Sequence, residues 1–411
     1  MARGRSPARS VLVPVNGSPS SLACVRSLGR RDINVVAAAE RPERPTLASR
    51  YCDELVPVTS VHEDLLAYRD ALVALAARSD VRAVVPCREE DAYLLSRYAD
   101  EFSPHVTELW QPPELLRMAH DGLRLAEAAE ASGVPVPETR LLGDVEDWDR
   151  RQVVKPRYPL RVAGYEPTYA ESECDPIHEV TYLDPGVEPD RQALRDALLG
   201  HEPLVQQFVE KADEYMVAAL YDHGDPVATF QHRQIRGDSY TGGGSVYRES
   251  VHLPRLETVA RRLLDHLDWH GLACIEFMED AETGEFVLTE INPRMWRSLP
   301  CTVRAGADFP HYYWLLATGR RDAIDPTYES GVRSHLLYGE LEYLDSVART
   351  DCPLVDRPSL PAASWSVLSS LVTTPRFDYF RWDDPRPFAR AVRNLVPGLR
   401  AGARRRRRSG N

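Results

Sequence analysis

Two glutamates and an asparagine near residue 290 carry the chemistry most directly readable in this sequence. Residues 272–279 and 285–292 are two alternating apolar runs joined by a polar turn that ends at Gly284, the pattern of a β-hairpin. With Glu279 opposite Glu285, residue numbers across the ladder sum to an even value, so even-numbered residues of both strands share one face. Glu276, Glu290 and Asn292 converge on that face, while Ile275, Phe277, Val287 and Ile291 take the other face as core. A slip of one residue would break the arrangement. Two carboxylates and an amide oxygen are hard oxygen ligands. Mg²⁺ accepts such a partial shell and completes it with water and phosphate oxygens. Arg294 and Arg297 follow directly, behind Pro293. Cations beside paired carboxylates make sense where an anion must be held too, as for a phosphoryl group in transfer. The competing reading is a solvated acidic face on an exposed hairpin.

These residues need a scaffold. The chain has 411 residues, more than one ordinary core, so two or three domains are expected. Between about 10 and 110, short apolar runs at 11–15, 33–39, 81–87 and 106–110 read as strands. Helical stretches at 20–28, 61–78 and 90–98 lie between them. That βαβ order predicts a parallel, doubly wound α/β sheet of Rossmann-like type over 1–111. It lacks Gly-x-Gly-x-x-Gly, so no dinucleotide is expected there. A second, α+β unit over 112–330 begins with a helix at 120–132. It continues through strands at 152–156, 203–209, 214–221 and 227–235, a helix at 256–267 and the hairpin. From 331 to 411 the signal weakens to a small, mostly helical extension, with helices at 364–371 and 387–396 and a basic tail, Arg404–Arg408.

Composition excludes several classes. Net charge is −12 with 27% charged residues, which argues against general nucleic-acid affinity. No apolar run approaches the roughly 18 residues of a membrane span, and no signal-peptide core follows the basic N-terminus, so a cytoplasmic location is expected. Cys24, Cys52, Cys87, Cys174, Cys274, Cys301 and Cys352 are scattered, without metal-ligand spacing, and read as reduced buried thiols. Lysine occurs only at Lys155 and Lys211 in an arginine-dominated chain. Lys155 on an apolar strand before proline is the one that invites a functional reading; Lys211 reads as a surface residue. The terminal arginine run reads first as a solvated tail and, more sharply, as a contact for anionic lipid head groups.

Residues 286–298, Phe-Val-Leu-Thr-Glu-Ile-Asn-Pro-Arg-Met-Trp-Arg-Ser, resemble the metal segment of ATP-grasp enzymes, closest to the carbamoyl-phosphate-synthase-like branch. The resemblance covers roughly 115–315. It implies a pre-ATP-grasp domain at the N-terminus and an ATP-grasp domain after it. It assigns Glu276, Glu290 and Asn292 to Mg²⁺ (Mn²⁺ being the alternative), Lys155 to the nucleotide phosphates, and Gln207, Phe208, Val209 and Glu214 to adenosine. Arg294, with Arg297, would stabilise the transferring phosphoryl group. The stretch 157–165 would be the flexible lid loop, with only Gly164 where relatives are often glycine-rich. Asp121-Gly122 departs from the common Asp-Lys pair, with Arg124 as a candidate replacement. The substrate carboxylate would be held near Arg233, Arg236 and the run containing Gly242, Gly243 and Ser245, since glycines let backbone N–H groups approach an anion.

The implied reaction is ATP-dependent activation of a carboxylate as an acyl phosphate and its capture by an amine, with ADP and phosphate released. Small-molecule carboxylate and amine substrates, and a homodimer, are the implied partners. A carbamoyl-phosphate-type kinase of bicarbonate or carbamate and a non-catalytic ATP-binding module are the alternatives.

Overall fold

The computed structural model describes residues 10–394. At the N-terminus four parallel strands are ordered Glu54–Pro57, Asn34–Ala39, Ser10–Val15, Val81–Val84. Ser10–Val15 is buried throughout and Asn34–Ala39 almost so, as parallel strands covered on both faces should be. Helices Pro19–Gly29, Leu65–Ala76 and Glu89–Arg97 supply the cover. Ser18 caps the first by accepting from the Ser20 N–H.

Two expectations fail in this unit. Residues 106–110 form no strand, because Leu109 and Trp110 pack into different cores. The next residue, Gln111, spends its amide on the carbonyls of His270 (2.6 Å) and Leu272 (3.1 Å). The segment thus crosses between units. The strand actually present, Glu54–Pro57, alternates half-buried and exposed residues at the sheet edge, a pattern too short to stand out in the sequence.

The helix expected over 120–132 is Gly122–Ala131, capped by Asp121 through the Leu123 N–H, and a further helix, Pro113–His120, precedes it. A four-stranded antiparallel sheet follows, ordered Thr139–Leu141, Leu204–Gln207, Gln152–Lys155, Thr181–Leu183, with helix Arg191–Ala197 against it. The largest sheet has six antiparallel strands ordered Phe286–Asn292, Gly271–Asp280, Lys211–Asp222, Asp225–Ser239, Gly242–Val251, Arg333–His335. Helix Pro254–His266 buries Leu256, Ala260, Leu263 and Leu264 against one face.

The C-terminal residues are not a separate appendage. Arg333–His335 is an edge strand of the large sheet. Helices Leu337–Arg349 and Leu360–Thr373 pack on it through the buried pair Arg236–Glu340 (2.6 Å), and Arg248 pairs with Asp378 where both are fully buried. Residues 386–394 are helical; the arginine run Arg404–Arg408 lies outside the described residues. No described helix is long and apolar enough to cross a membrane.

Candidate active site

The hairpin forms as strands Gly271–Asp280 and Phe286–Asn292, but its register is not uniform. Near the turn Glu279 faces Phe286 and Phe277 faces Leu288. After a bulge, Glu276 faces Glu290 and Cys274 faces Asn292. The extra residue is Thr289, whose hydroxyl donates to the Glu276 carbonyl (2.9 Å). The even-sum pairing therefore holds at the acidic end and fails near the turn. Phe286 and Leu288, not Val287, join Ile275, Phe277 and Ile291 in the core. Val287 lies on the other face, opposite Met278.

The bulge brings Glu276 and Glu290 directly opposite each other. Both side chains are exposed to solvent, yet protein surrounds Glu276 closely enough to penalise its charge. Burial, then the neighbouring Glu290, pushes the Glu276 carboxyl up to about 8 against the pull of Arg294. Asn292 donates its amide N–H to Glu290 Oε1 (2.6 Å), which spends the donor side of the amide and leaves its carbonyl oxygen as the atom suited to a cation. A like-charged pair beside a free amide oxygen fits a hard divalent cation, which would relieve the repulsion.

Arg294 enters from the other side. Its Nε donates to Glu89 Oε1 (2.6 Å), and Glu89 Oε2 lies 3.1 Å from His120 Nε2. His120 Nδ1 is 2.9 Å from the Tyr165 hydroxyl. Burial works against ionising both partners. Glu89, Glu290 and Glu276 nevertheless hold the Arg294 guanidinium above its ordinary value, and Arg294 with His120 keeps Glu89 below the usual carboxylate range. Glu89 starts a helix of the N-terminal unit, so this chain of contacts joins four segments distant in sequence. Nothing in the sequence tied Glu89, His120 or Tyr165 to Arg294.

Lys155 ends its strand with Nζ 3.3 Å from the Thr289 carbonyl, the bulge residue itself. Burial lowers its pKa, while Glu290 opposes the shift. From Lys155 a cavity of about 570 Å³ runs to Gln207, Phe208 and Val209, walled by Glu214 and floored by Met278. Glu214 accepts from Lys211 Nζ (2.6 Å) and Gln234 Nε2 (2.6 Å). Lys211, expected on the surface, thus lines the cavity and also reaches the Thr241 carbonyl (3.0 Å). Residues 353–356 of the C-terminal segment line the same cavity, a contact that no local pattern announces.

The expected carboxylate-binding cluster comes apart. Gly242 and Gly243 line the cavity with φ of +137° and +84°, a conformation that requires glycine. Arg233, however, pairs in the ladder with Tyr215 and Glu249, on the face opposite Glu276, and its charge meets Asp213 (3.6 Å) and Glu249 (3.3 Å). Beyond a bulge at Ile235, Arg236 is buried against Glu340, Ser366 and Ser370. Both arginines leave the site because alternation and the bulge send them elsewhere. Ser245 Oγ is buried without a partner among the described residues and is absent from the cavity lining. Arg297 binds Asp238 (2.5 Å) and Glu342 (3.3 Å) and lies against Gly244. His232 is neutral, its pKa dropping to about 3 through burial and then Arg248, and it bonds Ser298 Oγ (2.7 Å).

The stretch 157–165 is not a free lid either. Arg157 binds Asp121 through two nitrogens (2.9 and 2.7 Å), and the Tyr158 hydroxyl adds a third contact to that carboxylate (3.0 Å). Leu160, Val162 and Tyr165 pack into the N-terminal core beside Tyr93 and Leu94. At the departure from Asp-Lys, a side chain at Gly122 would meet Leu204 Cδ1 at 2.7 Å. Arg124 sits 3.8 Å from Asp121, half exposed, and does not line the cavity.

No family model matches the sequence. Among curated proteins, the carbamoyl phosphate synthase large chain of Thermus thermophilus is 25% identical over 321 residues, covering 74% of this chain and 30% of that protein. The same-named chain of Thermotoga maritima is 23% identical over 241 residues, 56% of this chain and 21% of that one. The chain thus spans less than a third of the curated relatives it matches. Among solved structures, Staphylococcus aureus N5-carboxyaminoimidazole synthetase aligns with TM-score 0.57 at 13% identity, over 78% of this chain and 80% of that one. An L-amino acid ligase from Bacillus licheniformis gives 0.56 at 14% identity, over 78% of each. The biotin carboxylase domain of Hydrogenobacter thermophilus 2-oxoglutarate carboxylase, solved with MgADP and bicarbonate, gives 0.58 at 14% identity, over 79% of this chain and 72% of that one.

Proposed function

We propose, from the ATP-grasp fold this chain shares with those neighbours, that it is an ATP-dependent, Mg²⁺-requiring ligase. It would activate a small carboxylate as an acyl phosphate for attack by an amine. The observation that carries this is the direct pairing of Glu276 with Glu290, with Lys155, which feels the charge of Glu290, lining the cavity beside them. On this reading residues 1–111 are a Rossmann-like pre-ATP-grasp domain and 112–330 the nucleotide and metal domain, to whose large sheet Arg333–His335 adds an edge strand and helices Leu337–Arg349 and Leu360–Thr373 a cover. Glu276, Glu290 and Asn292 would hold Mg²⁺, which supplies charge neutralisation on the phosphates. Lys155 binds phosphate oxygens, Gln207 to Val209 present backbone groups to the base, and Glu214 is available to ribose hydroxyls once it exchanges Lys211 or Gln234. Arg294, fixed by Glu89, faces the carboxylate pair and stabilises negative charge that develops on the transferring group. No protein nucleophile is needed, because positioning and charge neutralisation lower the barrier.

A second reading, phosphorylation of bicarbonate or carbamate, is favoured by the carbamoyl phosphate synthase relatives, and one assay separates the two. ADP release from Mg·ATP is measured against pooled amino acids, pooled carboxylic acids and bicarbonate. Release that needs a carboxylate and an amine together supports the ligase, and release with bicarbonate alone supports the second reading. Tight ATP binding without release in any pool would leave a binding module. Glu290→Gln should abolish turnover in either catalytic case, and retained activity would remove the metal assignment.

A further inference from the structure

A second cluster of cations lies away from the nucleotide cavity. Helix Pro19–Gly29 carries Arg26 in its last turn, with Arg30 and Arg31 just beyond its end. Together with Arg304 and Arg381 they line a cavity of about 360 Å³ between the N-terminal unit, helix Leu299–Arg304 and the C-terminal segment. Part of this charge is already matched. Arg26 pairs with Asp384 (2.9 Å), Arg31 with Asp308 (2.8 Å), Arg30 with Asp383, and the wall residue Asp378 with Arg248. Those pairs use all four aspartates and leave two arginines over. Arg381 has only a 3.4 Å contact to Asp383, which Arg30 already engages. Arg304 donates one bond, to the Phe377 carbonyl (3.3 Å), and its Nε is buried with no hydrogen-bond partner. Burial pushes the Arg304 guanidinium below its ordinary value; Asp378 opposes that shift, and the like charges of Arg381 and Arg376 add to it. In a chain of net charge −12, a local cationic surplus around a cavity is out of character with the rest of the molecule.

A half-buried guanidinium with an unused N–H is costly unless an acceptor completes it. Planar guanidiniums converging on one space match the oxygen geometry of phosphate better than that of any neutral ligand. We propose that this cavity binds a small phosphate-bearing anion of the diphosphate or phosphate-ester class, held chiefly by Arg304 and Arg381. Helix Leu299–Arg304 directly continues the segment that carries Glu290, Asn292 and Arg294, so the anion would tie that segment to the N-terminal unit and the C-terminus. The proposal does not depend on the ligase reading.

The test is isothermal titration of the full chain with inorganic pyrophosphate in the absence of divalent metal, beside Lys155→Ala, which removes a cation of the other cavity. Binding that persists in Lys155→Ala is expected, weakened roughly tenfold or more in Arg304→Gln and in Arg381→Gln. Arg381→Gln alters a rim residue and keeps the experiment interpretable if Arg304→Gln does not fold. Loss of all pyrophosphate binding in a folded Lys155→Ala would overturn the proposal, as would unchanged affinity in a folded Arg381→Gln. Tighter binding of citrate than of pyrophosphate would overturn the phosphate assignment.

Discussion

Replacing Glu276 by glutamine should stabilise the protein in the absence of metal while removing its response to Mg²⁺. The two carboxylates are direct ladder partners, so their charges lie about 5 Å apart. At an effective dielectric constant of about 20, two like charges at that distance repel by roughly 3 kcal/mol. Solvent reaches both tips, so the net effect is set at about 1 kcal/mol. For an independently melting domain of this size that corresponds to a rise of about 2–4 °C. The sign with pH follows from the direction of the shift. Glu276 titrates at about 8 in the folded protein, above its ordinary 4.5, so the folded state holds the proton more tightly than the unfolded one. Stability therefore falls as pH rises from about 4.5 to 8 and is level above. Without metal, wild type should melt lower at pH 8.5 than at pH 6, and Glu276→Gln should lose the part of that difference due to this site. With Mg²⁺ at about ten times its Kd, wild type should gain about 1.4 kcal/mol, and the variant much less. The assay is differential scanning fluorimetry across pH, with EDTA or MgCl₂. A metal-free variant that melts at or below wild type at pH 8.5, or one that responds to Mg²⁺ like wild type, would refute the reasoning.

Other expectations rest on single contacts. Glu89→Gln removes the charge that fixes Arg294 and should cost about 2 kcal/mol in the catalysed step, a fall of roughly thirtyfold in kcat with KM for ATP little changed; equal kcat would show that Arg294 is positioned by something else. Lys155→Ala should weaken ADP binding by roughly 10–100-fold, read by calorimetry, and an unchanged Kd would remove Lys155 from the nucleotide site. Gly242→Ala forces a side chain into φ +137° and within 2.8 Å of Lys211 Nζ, so nucleotide affinity should drop even if the melting temperature moves little. Arg233→Ala, by contrast, should leave ADP binding and turnover unchanged, since its side chain lies on the far face of the sheet; loss of turnover in a folded variant would contradict that placement.

The limits of the sequence reading follow from what local patterns can carry. Alternation placed Glu276 and Glu290 on one face because period-two geometry is local, and it held over the few residues that matter. It could not place the bulge at Thr289, whose hydroxyl bonds the opposite strand, and so it exchanged Val287 for Phe286 and Leu288 in the core. The same failure recurs at Ile235, where another bulge carries Arg236 out to Glu340. Turn and bulge positions depend on cross-strand partners, and those partners lie outside any window read along the chain.

The loop at 157–165 shows the other limit. A stretch with a proline and a glycine reads as mobile, but mobility is decided by what the loop packs on. Here Arg157 takes both oxygens of Asp121, and Tyr165 reaches His120, which touches Glu89, which fixes Arg294. The poverty of glycine in this loop and the glycine at 122 then have one physical reason. Arg157 has taken the carboxylate of Asp121, Leu204 fills the space a side chain at 122 would need, and the loop backbone is held by the Gly122 N–H to the Arg157 carbonyl (2.9 Å). A loop so anchored positions Tyr165 without paying out conformational entropy at each opening and closing. Its contribution to the site is therefore orientation of Arg294 through two intervening side chains, and local sequence could announce none of those contacts, because each joins residues at least thirty positions apart.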